Sequence, residues 1–145
     1  MSKPTHVFVI FIRTTPEKLW QAITDPDFTV RYYHETRFES DLRPGSPYAY
    51  VMEDGRNAIE GIVLESEPPR RLVMTFSMRY NPTLAADPPS RQTWEIEPQG
   101  EVCKLTVIHD DFPEETATFN VVGGGKMAIL SSLKTLLETG VPLPL

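Results

Sequence analysis

A single cysteine, Cys103, stands in the 145 residues. Without a second thiol no intrachain disulfide can form, so a secreted disulfide framework is excluded and a reducing compartment, the cytoplasm, fits best. Basic clusters are as scarce: Arg70-Arg71 is the one adjacent pair, and the net charge is −6. That balance disfavours nucleic acid and anionic membrane as partners. Long apolar runs are missing too. The longest near the N-terminus spans 7–12, too short to cross a membrane and without the basic flank of a signal peptide. Paired-cysteine zinc spacings, a phosphate-binding glycine loop and a Gly-x-Ser-x-Gly elbow are also absent from the sequence. No metal, cofactor or catalytic constellation is expected.

What the chain has is enough interior for one domain, residues 1–145, since a chain of this length buries about 70% of its unfolded surface. Proline is abundant, at 14 residues, but it is dispersed among the ends of extended segments and reads as punctuation. Residues 5–13 form a β-branched, aromatic strand with apolar side chains at both parities. Such a strand is covered on both faces or packs in a subunit contact, so a homodimer is among the partners considered. Thr15-Pro16 and Asp25-Pro26 each set a capping side chain before a proline at the first helical position, which predicts two short helices, the second ending near Tyr32 or Tyr33.

Six extended segments follow, at 36–42, 47–52, 57–67, 71–80, 91–97 and 102–109, separated by turn residues such as Arg43-Pro44-Gly45 and Glu53-Asp54-Gly55. Short sequential connections predict an antiparallel meander. Alternation assigns Phe38, Leu42, Tyr48, Tyr50, Met52, Leu72, Met74, Phe76, Met78, Tyr80, Trp94, Ile96, Cys103, Leu105, Val107 and His109 to the inner face. A final helix is predicted from Gly125 or Lys126 to Thr139, closed by Gly140, with Ile129, Leu130, Leu133, Leu136 and Leu137 on one face. Gly123 to Gly125 read as a flexible turn before it. Together the elements predict an α+β helix-grip fold: a curved antiparallel sheet wrapped around a long C-terminal helix, with two short helices after the first strand.

Four segments in this order resemble a known family: 15–26 (TPEKLWQAITDP), 61–65 (GIVLE) leading to 68–72 (PPRRL), 106–110 (TVIHD) and 128–138 (AILSSLKTLLE). The chain resembles the START-like (birch-pollen-allergen-like, SRPBCC) superfamily, and within it the homologues of the activator of the ninety-kilodalton heat-shock protein ATPase. The resemblance implies the same helix-grip domain, whose relatives range from ligand carriers to cyclases. In the eukaryotic activators the related domain is joined to a second, chaperone-binding domain for which 145 residues leave no room; no stimulation of the chaperone is expected. Similar members place Gly-Gly-Trp-Pro before the last helix, where this chain has Gly124-Gly125-Lys126, and often a Trp where it has Tyr33.

One helix laid across a strongly curved sheet is hard to pack solid, and tyrosine hydroxyls need partners, so a cavity is expected between them. Its predicted lining is Trp20, Tyr33, Tyr48, Tyr50, Phe76, Met78, Trp94, His109, Lys126 and Leu130, and its occupant an apolar or amphipathic small molecule. His109 ends an inward-facing strand set and places a polar tip at the rim, as a ligand contact, an acid/base or a satisfied structural histidine. Lys126 falls within the apolar arc of the last helix. It points either at the cavity mouth, where it joins the helix N-terminus to receive an anion, or out to solvent. Cys103 reads as an inert core thiol, Glu60 as a further polar candidate, and His6 and His34 carry no assigned role. Binding is the leading function. The alternatives are a cyclase- or hydrolase-type enzyme using the same cavity, or a protein-interaction domain, toward which the apolar tail 141–145 points.

Overall fold

The computed structural model describes residues 3–145. Strand β1 (His6–Ile12) runs into helices α1 (Pro16–Thr24) and α2 (Pro26–Tyr32). Both helices start where capping chemistry places them: Thr15 Oγ1 accepts from Lys18 N at 3.2 Å and Asp25 Oδ1 from Asp27 N at 2.8 Å, with proline at the first helical position in each. Strands β2 (Arg37–Ser40), β3 (Pro47–Val51), β4 (Asn57–Glu67) and β5 (Arg71–Met78) follow, then helix α3 (Pro82–Ala85), β6 (Ser90–Gln99), β7 (Val102–Asp110) and helix α4 (Ala117–Thr139).

The seven strands form one sheet in the order β1-β7-β6-β5-β4-β3-β2. Every pairing is antiparallel, and β1 lies beside the last strand, with His6 opposite His109 and Ile12 opposite Cys103. Alternation is clearest on β1, β3 and β7, whereas β4, β5 and β6 contain consecutive buried residues and the β3–β4 and β4–β5 pairings shift register. On β7, Cys103, Leu105, Val107 and His109 are buried while their neighbours are half-buried. Period 2 thus decides which side of such a strand meets the interior. The core gathers Ile12, Leu19, Ile23, Phe38, Tyr50, Leu72, Met74, Trp94, Leu105, Leu130 and Leu133 from the inner sheet face, α1 and α4.

Of the two readings of β1, cover on both faces within the chain does not hold: Val7, Val9 and Phe11 are 59%, 45% and 48% exposed. Between β5 and β6, Asn81 Oδ1 accepts from Leu84 N at 2.9 Å and starts α3. Helix α4 begins at Ala117 instead of 125 or 126, so Gly123 to Gly125 are helical and not a flexible turn. Three glycines lower helix propensity by about 1 kcal/mol each relative to alanine. Against that stand a cap, with Thr116 Oγ1 accepting from Phe119 N, a second acceptor in Asp87, whose Oδ2 takes both N–H and O–H of Thr118, and burial of Thr118 and Val122. At the far end Gly140, with φ 87°, closes the helix in the left-handed conformation glycine tolerates.

Candidate functional site

Between the concave side of the sheet, the end of α2 and the first half of α4 lies a cavity of about 310 Å³. The strands contribute Ile59, Phe76 and Met78; Tyr80 follows β5. Helix α4 contributes Val121, Val122, Gly125, Lys126 and Ile129; Tyr33 and His34 come from the turn after α2. Tyr80 and Val121 are 39% and 45% exposed and stand at the mouth, whereas Tyr33, Phe76 and Lys126 are buried. His34 and Glu35 have positive φ values of 50° and 57°, a conformation uncommon outside glycine. That tight turn, tied by Thr36 Oγ1 donating to Tyr33 O at 2.6 Å, holds Tyr33 against the cavity.

The polar end of the cavity is built on Lys126. It occupies a core position of α4, one turn beyond Val122 and one before Ile129 and Leu130, and is 3% exposed. Its Nζ donates to Tyr33 Oη at 2.9 Å and to Gln92 Oε1 at 3.3 Å, and lies 4.8 Å and 4.9 Å from the ring centroids of Tyr33 and Trp94. None of the ion pairs among the described residues includes it. Loss of water without a compensating carboxylate lowers its pKa to about 7. Burial likewise raises the phenols of Tyr33 and Tyr50 well above their ordinary value, so both stay neutral. Tyr33 stacks on Tyr50 with centroids 4.3 Å apart, which fixes its ring.

Of the ten residues expected to line the cavity, Tyr33, Phe76, Met78 and Lys126 do so. Tyr50 and Trp94 form a layer behind Tyr33 and Lys126. Tyr48 joins Phe38 and Tyr50 in an aromatic cluster, with its hydroxyl donating to Thr75 O at 2.5 Å. Trp20 and Leu130 pack in the core away from the cavity. His109 is not at a rim: it is fully buried, both ring nitrogens lack a hydrogen-bond partner among the described residues, and its ring meets Phe76 edge-on at 4.8 Å. Burial first, and the nearby charges of Lys126 and His6 second, hold its pKa well below 6.5. Lys126 is neither solvated nor near a free helix N-terminus, because α4 starts more than two turns earlier. Glu60 faces away from the cavity and pairs with Arg79 at 2.9 Å.

Gln92 is the site residue that strand reasoning passed over, although it shares its parity with Trp94 and Ile96; its Nε2 and Trp94 Nε1 are buried without partners among the described residues. Val121, Val122 and Gly125 were out of reach because the glycine run hid the first turns of α4. No group of His, Cys, Asp and Glu among the described residues has metal-binding geometry, and no helix there is long and apolar enough to cross a membrane.

Residues 13–138 match the family described as Activator of Hsp90 ATPase homolog 1-like protein. No curated protein matches the chain. Among solved structures, a protein of Mesorhizobium loti has a TM-score of 0.77 and 22% identity over 93% of this chain and 97% of its own. The Aha1 dimer of Colwellia psychrerythraea gives 0.75 and 18% over 94% and 98%. An Hsp90 activator of Plasmodium falciparum gives 0.72 and 22% over 95% and 97%. At such identities the likeness speaks for the fold: a seven-stranded antiparallel sheet, short helices after the first strand and a long C-terminal helix. With the family matched over most of its length and the helix-grip architecture in place, the chain belongs to the Activator of Hsp90 ATPase homolog 1-like family of the START-like superfamily.

Proposed function

We propose that the chain binds an apolar or amphipathic small molecule in the cavity between the sheet and α4, with the apolar body against Ile59, Phe76, Met78 and Val122 and the polar end toward Lys126 and Tyr33. The observation that carries this reading is the pairing of an apolar cavity of about 310 Å³ with a buried lysine that has no carboxylate partner. A space of that size lined by apolar groups with a few convergent polar ones is the usual form of a small-molecule site. Lysine is also an unfavourable choice for a core position unless its head group is used. Titration with an apolar fluorescent dye tests it. Saturable binding that is lost when Gly125 is changed to Phe, which fills the open space beside it, is expected. Absence of saturable binding to the parent chain would sink the proposal.

A second reading, chaperone activation, is favoured by the family description and by the Plasmodium relative, described as an Hsp90 activator. An Hsp90 ATPase assay with the purified chain separates the two, and dose-dependent stimulation would put this reading first. Self-association is part of the proposal as well. The exposed stripe of Val7, Val9 and Phe11 suits a second copy, and the Colwellia relative is described as a dimer.

A further inference from the structure

The hydrogen bonds around Lys126 count protons. An ammonium has three N–H groups to satisfy, a neutral amine two and a lone pair. Within reach of Nζ are two acceptors, Tyr33 Oη at 2.9 Å and Gln92 Oε1 at 3.3 Å, the rings of Tyr33 and Trp94 lie 4.8 Å and 4.9 Å from it, and Lys126 lines the cavity. Two acceptors match the two N–H groups of the amine; the rings are the only further contacts for a charged head group among the described residues, and no carboxylate is among them. The lowered pKa agrees, making roughly half the molecules amine at neutral pH. A desolvated lysine of this kind is a nucleophile toward carbonyl carbon. Tyr33 supplies the second requirement: its hydroxyl accepts from Lys126 and, among the described residues, donates to no other group, so its O–H is free for a carbonyl oxygen.

We propose that the cavity takes a hydrophobic aldehyde or ketone and that Lys126 condenses with it to form an imine. The proposal rests on the binding reading above and names the ligand class of that site. In the first step Nζ attacks the carbonyl carbon, the C–N bond forms, and the oxygen takes the proton of Tyr33 while an amine proton returns to the phenolate. In the second step the carbinolamine hydroxyl leaves as water, again protonated by Tyr33, and the nitrogen loses its remaining proton to the phenolate as the C=N bond forms. Amine and carbonyl give imine and one water, with nothing oxidised or reduced. The neutral phenol of Tyr33 makes it a proton donor that does not compete as a counter-ion. An acid ligand would instead need the ammonium and would leave the observed acceptors facing a carboxylate.

The experiment uses the full chain with three probes that share a tail: decanal, decan-1-ol and decanoate. Each is tested for displacement of the bound dye, and decanal is also incubated with cyanoborohydride, which reduces an imine to a stable secondary amine readable by intact mass and peptide mapping. Expected is one decyl group per chain, on Lys126. Lys126→Met, whose fold is checked by its melting transition and its far-UV circular dichroism, should lose that adduct and keep only slow surface labelling. Tyr33→Phe, its fold checked in the same way, should slow adduct formation by about 100-fold. If all three probes displace the dye but the adduct spreads over surface lysines equally in parent and Lys126→Met, the imine is overturned and the binding reading stands. Tighter displacement by decanoate than by decanal, without an adduct, overturns it in favour of an acid ligand. If the dye itself never binds, both proposals fall together.

Discussion

Burial without a carboxylate brings the Lys126 amine to about 7 in the folded chain, against 10.5 for the group in water. The unfolded chain therefore holds a proton that the folded chain releases, and between those two values stability rises with pH. Below about pH 7 both states are protonated and the penalty of burying the charge is fully present. From pH 7 to about 8.5 its relief amounts to about 1.5 kcal/mol. Above about pH 9 the trend is opposed by Cys103, whose pKa burial raises from 9.0, and by the buried tyrosines. Denaturant unfolding at a series of pH values should show this rise in the parent chain and a flat profile in Lys126→Met over the same window; equal slopes would mean that the amine is charged in the fold. His109 acts on the acid side. Its folded pKa lies below 6.5, so stability is lost as pH falls through that value, and His109→Leu should lessen the loss. The position of Lys126 within an apolar arc is readable from its spacing to Ile129, Leu130 and Leu133. Its burial is not, because that depends on Tyr33 arriving from 93 residues away and on Gln92 across the interior.

Element by element, the strands were the most legible feature, because their alternation is enforced by a sheet with one wet face, and the two proline-capped helices announce their first turn in five residues each. Helix α4 shows where this fails. Its glycines Gly123 to Gly125 are poor helix formers, yet the helix runs through them, held from both sides by the Thr116 cap and the packed half beyond. The three are not equivalent. A Cβ on Gly124 would meet nothing within 4 Å, whereas one on Gly123 would come within 2.7 Å of His6 Cε1, in a ring stacked at 3.9 Å on Phe119. Gly124→Ala is expected to stabilise the chain by about 1 kcal/mol through helix propensity alone. Gly123→Ala should gain less or destabilise, since the histidine must move. Thr116→Ala should cost about 1 kcal/mol by uncapping the helix. Thermal unfolding of the three variants checks all of this, and equal gains at Gly123 and Gly124 would contradict the packing described for His6.

On the scale of the whole molecule, the sheet has two edges and one exposed apolar face. The β1 edge is already engaged by α4: Lys134 Nζ donates to Phe11 O at 2.6 Å and Glu138 Oε2 accepts from Arg13 N at 2.8 Å. Those contacts occupy backbone groups that a strand from another chain would need, so pairing through this edge is disfavoured. The face is different. Val7, Val9 and Phe11 project from β1 on the side away from α4, and Ile108 lies opposite Val7 on the neighbouring strand. A second copy meeting this face would bury those side chains by apolar contact, leaving both cavities, on the opposite side of each sheet, open. A patch of so few residues gives a modest interface, so the dimer should form reversibly with rising concentration instead of surviving dilution. Sedimentation velocity across a concentration series should show monomer converting to dimer. Val9→Lys, which sets a charge in the middle of the stripe without entering the core, should shift the curve to higher concentration and leave dye binding unchanged. A parent chain that stays monomeric throughout, or a dimer indifferent to Val9→Lys, would remove this face as the contact and return its apolar side chains to ordinary surface.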